Sequence, residues 1–473
     1  MSVSRRELLR TGLLAGAAGA LAGCGREARE LVGMKEAAEF KLPNGPLEPG
    51  VRLLDRLAFG ATAVDLKRLD QIGREAFVRE QLRAALPEPL HLQSRIRKLE
   101  INQFQPEDLA GWPEEFIMRQ LQQASILNAV YSPNQLRERM VDLWTNHFNI
   151  YARKGLAMYR IAKDQNEVIR KHALGKFRDL LRASARSPGM LAYLDNTVNR
   201  KGVANENYAR ELMELHSLGV HGGYSQQDVQ EVARCFTGWG IEKRFLRPKG
   251  QFRFDPALHD DGEKLVLGQR IPAGGGEKDG DRVIDILAAH PACARFVSEK
   301  LCRYFLGTTE TPWVERLAKR HQETEGDLRL MLEPLLLSSE LLEAPPVVKR
   351  PFDFVVSSLR SLNATTDGGQ NLQAHLEKMG QPLHQWPMPD GYPDKAAAWT
   401  GSLLARWNYA LALTTDRIPG TRIDPKALAE NGSLARLVLA GRTEPSVKTV
   451  ARLSREPDEE AALALMTPEF QWR

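Results

Sequence analysis

Residues 205–216 read Asn205-Glu206-Asn207-Tyr208-Ala209-Arg210-Glu211-Leu212-Met213-Glu214-Leu215-His216, which crowds three carboxylates, a guanidinium and an imidazole into one short stretch. On a helix, Glu206, Arg210 and Glu214 fall at i, i+4 and i+8 and share an edge, with Asn207 and Glu211 beside them. Tyr208, Leu212 and Leu215 make the buried stripe. Two chemistries fit this pattern. In the structural one, Glu206 sits in the first turn, favoured by the helix dipole, and pairs with Arg210 at the surface. In the catalytic one, Arg210 orients a carboxylate in a cleft, with Glu206 and Glu211 as candidates for acid and base. At about 100° per residue those two carboxylates point about 140° apart. One helix alone therefore does not supply the facing pair that glycosidic cleavage needs. A partner has to come from elsewhere, with Asp195 and Asp260 as the candidates.

Two histidines extend the candidate set. Leu136, Met140, Leu143 and His147 recur at i, i+4, i+7 and i+11, which puts His147 on an apolar stripe. A histidine there is a hydrogen-bonded core residue, or, with Asn146 and Trp144, part of a pocket in which the tryptophan is a sugar platform. His259-Asp260-Asp261 lies in a turn-rich stretch, where it is either a functional loop or ordinary turn chemistry. The candidate catalytic residues are thus His147, Glu206, Arg210, Glu211, His259 and Asp260.

No cofactor is readable. The single Glu-x-x-His is Glu88-Pro89-Leu90-His91, whose prolines (Pro87, Pro89) do not suit a helix interior. There is no His-Glu-x-x-His, no Cys-x-x-Cys and no Cys-x-x-Cys-His. The sequence also lacks a Gly-x-Ser-x-Gly elbow, a Walker loop and a dinucleotide fingerprint. Neither a metal, a haem nor a nucleotide is therefore assigned.

The elements that must position these residues are mainly helical. Apolar residues recur near a 3.6 period over 73–86 and 113–130. Ser132-Pro133 predicts an N-cap and N1 for the next helix, and further helices are expected at 156–174, 176–185, 281–289, 291–306 and 328–342. Ser225-Gln226-Gln227-Asp228 resembles a capping box. One β-like island interrupts: 251–254 alternates, and 264–268 is the expected partner strand in one small hairpin. Residues 380–399 are too rich in Pro, Gly and Trp for a helix. The expected fold is mainly α, a large multi-helix single domain with one small β-hairpin.

The chain has 473 residues, 42% hydrophobic and 26% charged, with a formal net charge of +5. Part of that excess is Arg5, Arg6 and Arg10 at the N-terminus, and no basic stripe with interleaved aromatics follows, so nucleic-acid binding is excluded as an expectation. Ser4-Arg5-Arg6-Glu7-Leu8-Leu9 resembles a twin-arginine export signal. The apolar run 13–22 is too short to span a membrane. Leu21-Ala22-Gly23-Cys24 resembles a lipobox, in which Cys24 is lipidated and anchors the protein to a membrane surface without crossing it; cleavage without lipidation is the other reading. Residues 1–23 are read as the export signal and 24–50 as a flexible tether. The implied address is exported, periplasmic or on the outer face of a bacterial membrane, with the twin-arginine machinery as a partner. Cys235, Cys293 and Cys302 are expected as buried thiols; nine residues of helix separate the last two by about 13 Å, too far for a disulfide.

Several blocks together resemble a bacterial family catalogued as domain of unknown function 1800. They are Arg56-Leu57-Ala58-Phe59-Gly60; Leu136 to Met140 with Trp144-Thr145-Asn146-His147-Phe148; Met190 to Asn196; the Asn205–Val220 stretch; Tyr224 to Val229 with Thr237-Gly238-Trp239; His259 to Lys264; Lys349-Arg350-Pro351-Phe352; and Met379-Gly380-Gln381-Pro382. His216-Ser217 and Asp390-Gly391-Tyr392-Pro393 depart from the common pattern. The likeness covers about Arg52 to Leu411, so 51–412 is read as the family domain and 413–473 as a C-terminal helical extension. It implies a large, exported, mostly helical protein, often encoded beside an exported family that resembles sulfatases, and brings no reaction. The functional expectation is a hydrolase-like enzyme acting on an envelope or extracellular polymer or glycan. The alternative is a non-catalytic envelope binding or assembly protein serving a sulfatase-like partner.

Overall fold

A computed structural model describes residues 49–244, 249–429, 434–439 and 444–473. The export signal with Arg5 and Arg6, the lipobox with Cys24 and nearly all of the tether lie outside the described residues. The helices that carry the site are α1 (Glu114–Tyr131), α2 (Gln135–His147), α3 (Met158–Asp164), α4 (Glu206–Glu214), α5 (Gln226–Cys235), α6 (Lys278–Ala289), α7 (Pro291–Leu306), α8 (Pro351–Ser361) and α9 (Leu403–Thr414). The protein is mainly α, as expected.

Local chemistry sets several helix ends. Thr62 caps Ala63–Ile72 by accepting from the Asp65 N–H at 3.1 Å. Ser225 and Asp228 form the capping box of α5. Asn205 caps α4 through the Asn207 N–H. α2 starts two residues later than Ser132-Pro133 suggests: the Ser132 hydroxyl accepts from Asn134 N–H at 3.2 Å, so the pair forms a turn and Asn134 becomes the N-cap. The helix expected over 156–174 is shorter and changes character. α3 runs directly into a π-helical turn, Gln165–Arg170. The helix expected over 328–342 breaks at Ser338, whose hydroxyl caps a new short helix, Ser339–Glu343.

The strand pairing differs from expectation. β2 (Phe252–Phe254) pairs antiparallel with β1 (Trp239–Ile241), and β3 (Lys264–Val266) pairs with β4 (Gln269–Ile271). The 251–254 and 264–268 segments therefore belong to two separate hairpins rather than to one. The reason lies in the turn. Leu267 and Gly268 both have positive φ, the two-residue connection that folds a strand straight back on itself. A third small pair joins β5 (Thr365–Thr366) to β6 (Thr421–Arg422).

Two hydrophobic cores meet along α1. The larger gathers side chains from Val51 to Ala344 and includes Ile117 and Leu121 of α1. The smaller includes Ile126, Ala129 and Val130 of α1, with α8, α9 and the helices Leu434–Leu439 and Pro457–Met466. The segment read as a C-terminal extension is thus part of the second core. Its end also pairs backbone to backbone, Val347 with Arg473 and Lys349 N–H with Gln471 O. Cys235, Cys293 and Cys302 are buried free thiols, and burial pushes Cys235 and Cys302 up to about 12. Among the described residues, no helix is long and apolar enough to cross a membrane.

Candidate functional site

α2 has two working faces. Leu136, Met140, Leu143 and His147 enter the larger core. The other face carries Glu138, Val141, Asp142, Thr145 and Asn146, spaced i, i+3, i+4, i+7 and i+8, and Asn149 continues it past the helix end. This second face floors a narrow cleft of about 80 Å³ at the seam between the two cores. α1 supplies Ser125 and Asn128. The π-helical turn supplies Gln165, Asn166 and Arg170. From the smaller core's side come Arg350, Phe352, Gln381, His384 and Tyr392. π-helical turns recur at functional sites because they re-aim side chains; here Thr145 Oγ1 donates to Gln165 Oε1 at 2.8 Å.

The charges of the lining are already engaged. Glu138 is buried and receives Arg170 and Arg137. Asp142 receives Arg350 and, at 3.1 Å, the Tyr304 hydroxyl. The two carboxylates lie one turn apart on α2, yet each has its guanidinium, so they do not stand as an unpartnered acid–base pair across a bond.

What remains is a concentration of amides, in two sets. Asn146 and Asn149 hold the loop that closes the cleft. Asn146 Nδ2 donates to Tyr392 O at 2.9 Å and its Oδ1 accepts from Tyr392 N at 2.7 Å. Asn149 Nδ2 donates to Trp386 O at 2.9 Å and Met388 O at 2.6 Å. Gly391 is required here: its φ is +77°, and a Cβ would run into the Asn146 backbone oxygen. The second set, Asn128, Gln165, Asn166 and Gln381, also lines the space. Gln381 Oε1 accepts from Phe352 N at 2.8 Å, which leaves its Nε2 as the donor end. Ser125 Oγ and His384 Nε2 lie 3.0 Å apart in the same cleft. His384 has a left-handed backbone, φ +62°, and burial lowers its imidazole to about 4.

The six candidate catalytic residues fall into three separate groups, and none of the six lines this cleft. His147 is buried; its Nε2 lies 3.2 Å from His216 O, and its ring packs on Phe148, Phe177 and Phe296. Burial, then Lys300, holds it well below its ordinary range. This is the core-histidine arrangement. Trp144 is equally buried, with Nε1 donating to Ala173 O at 3.0 Å, so it offers no platform to a sugar. Its neighbour Asn146 does line the cleft.

The second group is Glu206, Arg210 and Gln226, joined at 3.1 Å (Arg210 to Glu206), 2.9 Å (Arg210 to Gln226) and 2.6 Å (Gln226 to Glu206) on a partly exposed edge. Glu211 is half-buried one residue on, and burial followed by Glu214 raises its carboxyl. Asp195 sits apart, paired with Lys154 at 2.8 Å. The third group is scaffolding, with His259 buried and Asp260 partly exposed. His259 Nδ1 lies 2.8 Å from Thr237 O, and its Nε2 lies 3.3 Å from Asp279, which also takes Lys264 at 2.5 Å. Asp260 is held by both ends of the Arg234 fork, at 2.8 and 3.1 Å, which lowers it to about 2. Among the described residues, no three His, Cys, Asp or Glu side chains converge on a point that holds a metal ion.

Two outcomes follow from this geometry. Glu206→Gln should change unfolding free energy by less than about 1 kcal/mol, the scale of exposed ion pairs, as read by urea denaturation; a loss above about 2 kcal/mol would contradict a surface role. The second concerns acid. Burial lowers His216 to about 3 and His321, His375 and His384 to about 4. The unfolded chain charges these rings near pH 6.5, so between about 6.5 and 4 it binds more protons than the fold. Their contribution is full above about pH 6.5 and is lost as pH falls toward the folded values. Asp164, pushed up to about 7 by burial, works in the opposite sense. Four rings outweigh one carboxyl, so the melting temperature should fall steadily from pH 6.5 to 4 in calorimetry. A flat or rising profile would contradict the burial of these rings.

A sequence model of the family described as "Protein of unknown function (DUF1800)" matches residues 52–472. None of the curated proteins and none of the solved structures compared with the chain matches it.

Proposed function

Since the chain belongs to the DUF1800 family, whose description assigns no activity, we propose from the geometry that it binds a polyhydroxylated chain, an envelope or extracellular glycan, in the cleft along α2. The observation that carries this reading is the lining itself: Asn128, Gln165, Asn166 and Gln381 around a narrow cleft, with the buried Tyr392 and Phe352 as aromatic wall. Each amide has one end bonded within the protein, Asn128 and Asn166 through Nδ2 and Gln165 and Gln381 through Oε1; the other ends present two acceptors and two donors, which match a hydroxylated and uncharged ligand. Aromatic faces cover the apolar faces of sugar rings. Charged ligands gain less here, because Glu138, Asp142, Arg170 and Arg350 neutralise one another.

Binding is favoured over glycosidic cleavage. The carboxylates that motivated a glycosidase reading lie at a surface edge or in scaffolding, and those of the cleft are engaged by arginines. The address is also a proposal. It rests on Ser4-Arg5-Arg6 and on Leu21-Ala22-Gly23-Cys24, which support twin-arginine export and a lipid anchor at Cys24. Such an anchor holds a binding protein where envelope glycans are. The family's resemblance adds an exported sulfatase-like protein as a candidate partner.

Crystals soaked with a peptidoglycan-derived tetrasaccharide test the assignment. Sugar density between Asn128, Gln165 and Tyr392 is the expected result. Density against Arg210 on α4 instead, or none at saturating saccharide, would overturn it.

A further inference from the structure

Ser125 and His384 stand 259 residues apart in sequence and 3.0 Å apart in space, Oγ to Nε2. The Ser125 hydroxyl has two acceptors in reach. One is Leu121 O at 3.2 Å, the i−4 carbonyl that a helical serine commonly uses. The other is the imidazole, and a rotation about the Cβ–Oγ bond turns the proton from the carbonyl to the ring. His384 does not arrive there as helix packing. It comes from the loop after Gln381-Pro382, in a left-handed backbone, φ +62°, of a kind that costs free energy and clusters at functional sites. Two hydrogen bonds to its carbonyls fix that loop: Ala152 N donates to His384 O at 3.0 Å, and the Gln122 side-chain Nε2 donates to Leu383 O at 3.3 Å. Ser125, His384, Gln381 and Asn128 all line the same cleft.

We propose that Ser125 and His384 are the nucleophile and base of an ester-cleaving site, which removes acyl groups from the hydroxyls of the ligand that the cleft binds. The proposal rests on the glycan reading of that cleft and adds a reaction to it. Burial keeps the ring neutral at neutral pH, with Nε2 as an acceptor, while it works against the imidazolium that proton transfer forms; the geometry of the pair, not its titration, carries the proposal. Gln381 supplies an amide donor, its oxygen being committed to Phe352 N. Such a donor stabilises charge on a carbonyl oxygen.

The steps balance without any further oxidant or cofactor. Ser125 Oγ bonds to the ester carbonyl carbon as its proton passes to His384 Nε2. The carbon–alkoxy bond then breaks, and the sugar oxygen leaves with the proton from Nε2. Water attacks the acyl-serine, its proton goes to Nε2, the carbon–Oγ bond breaks, and the carboxylic acid departs as Ser125 recovers its proton. The serine thus passes through a covalent intermediate, and the measurable sign is a reactive hydroxyl at one named position.

The test incubates the purified protein with a fluorophosphonate and maps the adduct by mass spectrometry. Expected is one phosphonylated site, Ser125, with the rate falling at least a hundredfold in His384→Gln and the adduct absent in Ser125→Ala. A p-nitrophenyl acetate burst stoichiometric with protein should accompany it and vanish in Ser125→Ala. Ser125→Ala favours the helix, so it keeps the test valid if His384→Gln fails to fold. No adduct on the folded wild type, or an adduct that survives Ser125→Ala, overturns the proposal. The same preparations are titrated with the tetrasaccharide. Saccharide binding without labelling overturns the ester reading alone; labelling of Ser125 without saccharide binding sustains the nucleophile and overturns the glycan.

Discussion

Asp353→Ala should cost about 3–5 kcal/mol of unfolding free energy, the range for removing one partner of a buried ion pair. Asp353 sits in the first turn of α8, at 2% exposure, and faces Arg139 of α2, at 0%. Its Oδ2 also accepts from Arg350 N at 3.1 Å. Burial works against the charge of this carboxylate, but Arg139, then Arg473 and Arg350, outweigh it and hold the group well below the usual carboxylate range. Removing the carboxylate strands the Arg139 guanidinium between Phe59 and Tyr304, at 4.6 and 4.7 Å, where water does not reach it. The pair also joins the two cores, since α2 belongs to the larger and α8 to the smaller. Because the folded carboxyl is lowered, its contribution is present above about pH 4, the unfolded value, and is lost only as pH falls toward the folded one. Urea denaturation at pH 7 measures the loss. A change below about 1 kcal/mol would contradict a buried, load-transmitting pair.

Asn146→Ala is the second large effect, and it acts on the cleft. Two backbone groups of Tyr392 lose their partner, and each buried polar group left unsatisfied costs about 1–3 kcal/mol. The expected total is about 2–4 kcal/mol, less than the sum because the loop can swing toward water. That swing is itself the readout. The Tyr392 amide should exchange with solvent at least tenfold faster, while amides of α7 keep their protection. Gly391 leaves no room for repair, since its positive φ already places the chain against Asn146. Unchanged exchange over 386–392 would show that the loop holds itself.

The helices were legible because their apolar residues recur at the helical period. The 291–306 helix lies where the sequence places it, and Ser225 caps as its side chain predicts. The hairpins were not. Leu267 occupies a positive-φ position that asparagine or aspartate ordinarily marks, so the turn carried half its usual signal. The β1 strand was hidden at the end of a helix, where Gly238 reads as a stop.

The site divides in the same way. Following the apolar stripe of α2 leads to His147 and into the core. The polar stripe of the same helix, 138, 141, 142, 145, 146 and 149, was there to be read and floors the cleft. Three of the blocks that resemble the family feed that cleft: one through Glu138, Thr145 and Asn146, one through Arg350 and Phe352, and one through Gln381. The α4 stretch concentrates many ionisable groups in one segment, yet Glu206 and Arg210 satisfy each other at the surface. No spacing in a single sequence brings Ser125 to His384. That contact depends on an irregular loop held by Asn146 and Asn149, and it exists only once both cores have formed.

Saccharide affinity measured by titration calorimetry on three proteins side by side tests the central claim most directly. The probe is the peptidoglycan-derived tetrasaccharide, and the proteins are wild type, Asn128→Leu in the cleft and Glu206→Gln on α4. Asn128→Leu should weaken binding about tenfold, about 1.4 kcal/mol, while Glu206→Gln leaves it unchanged. Loss of binding in Glu206→Gln with Asn128→Leu unaffected would move the functional site to α4 and contradict the account.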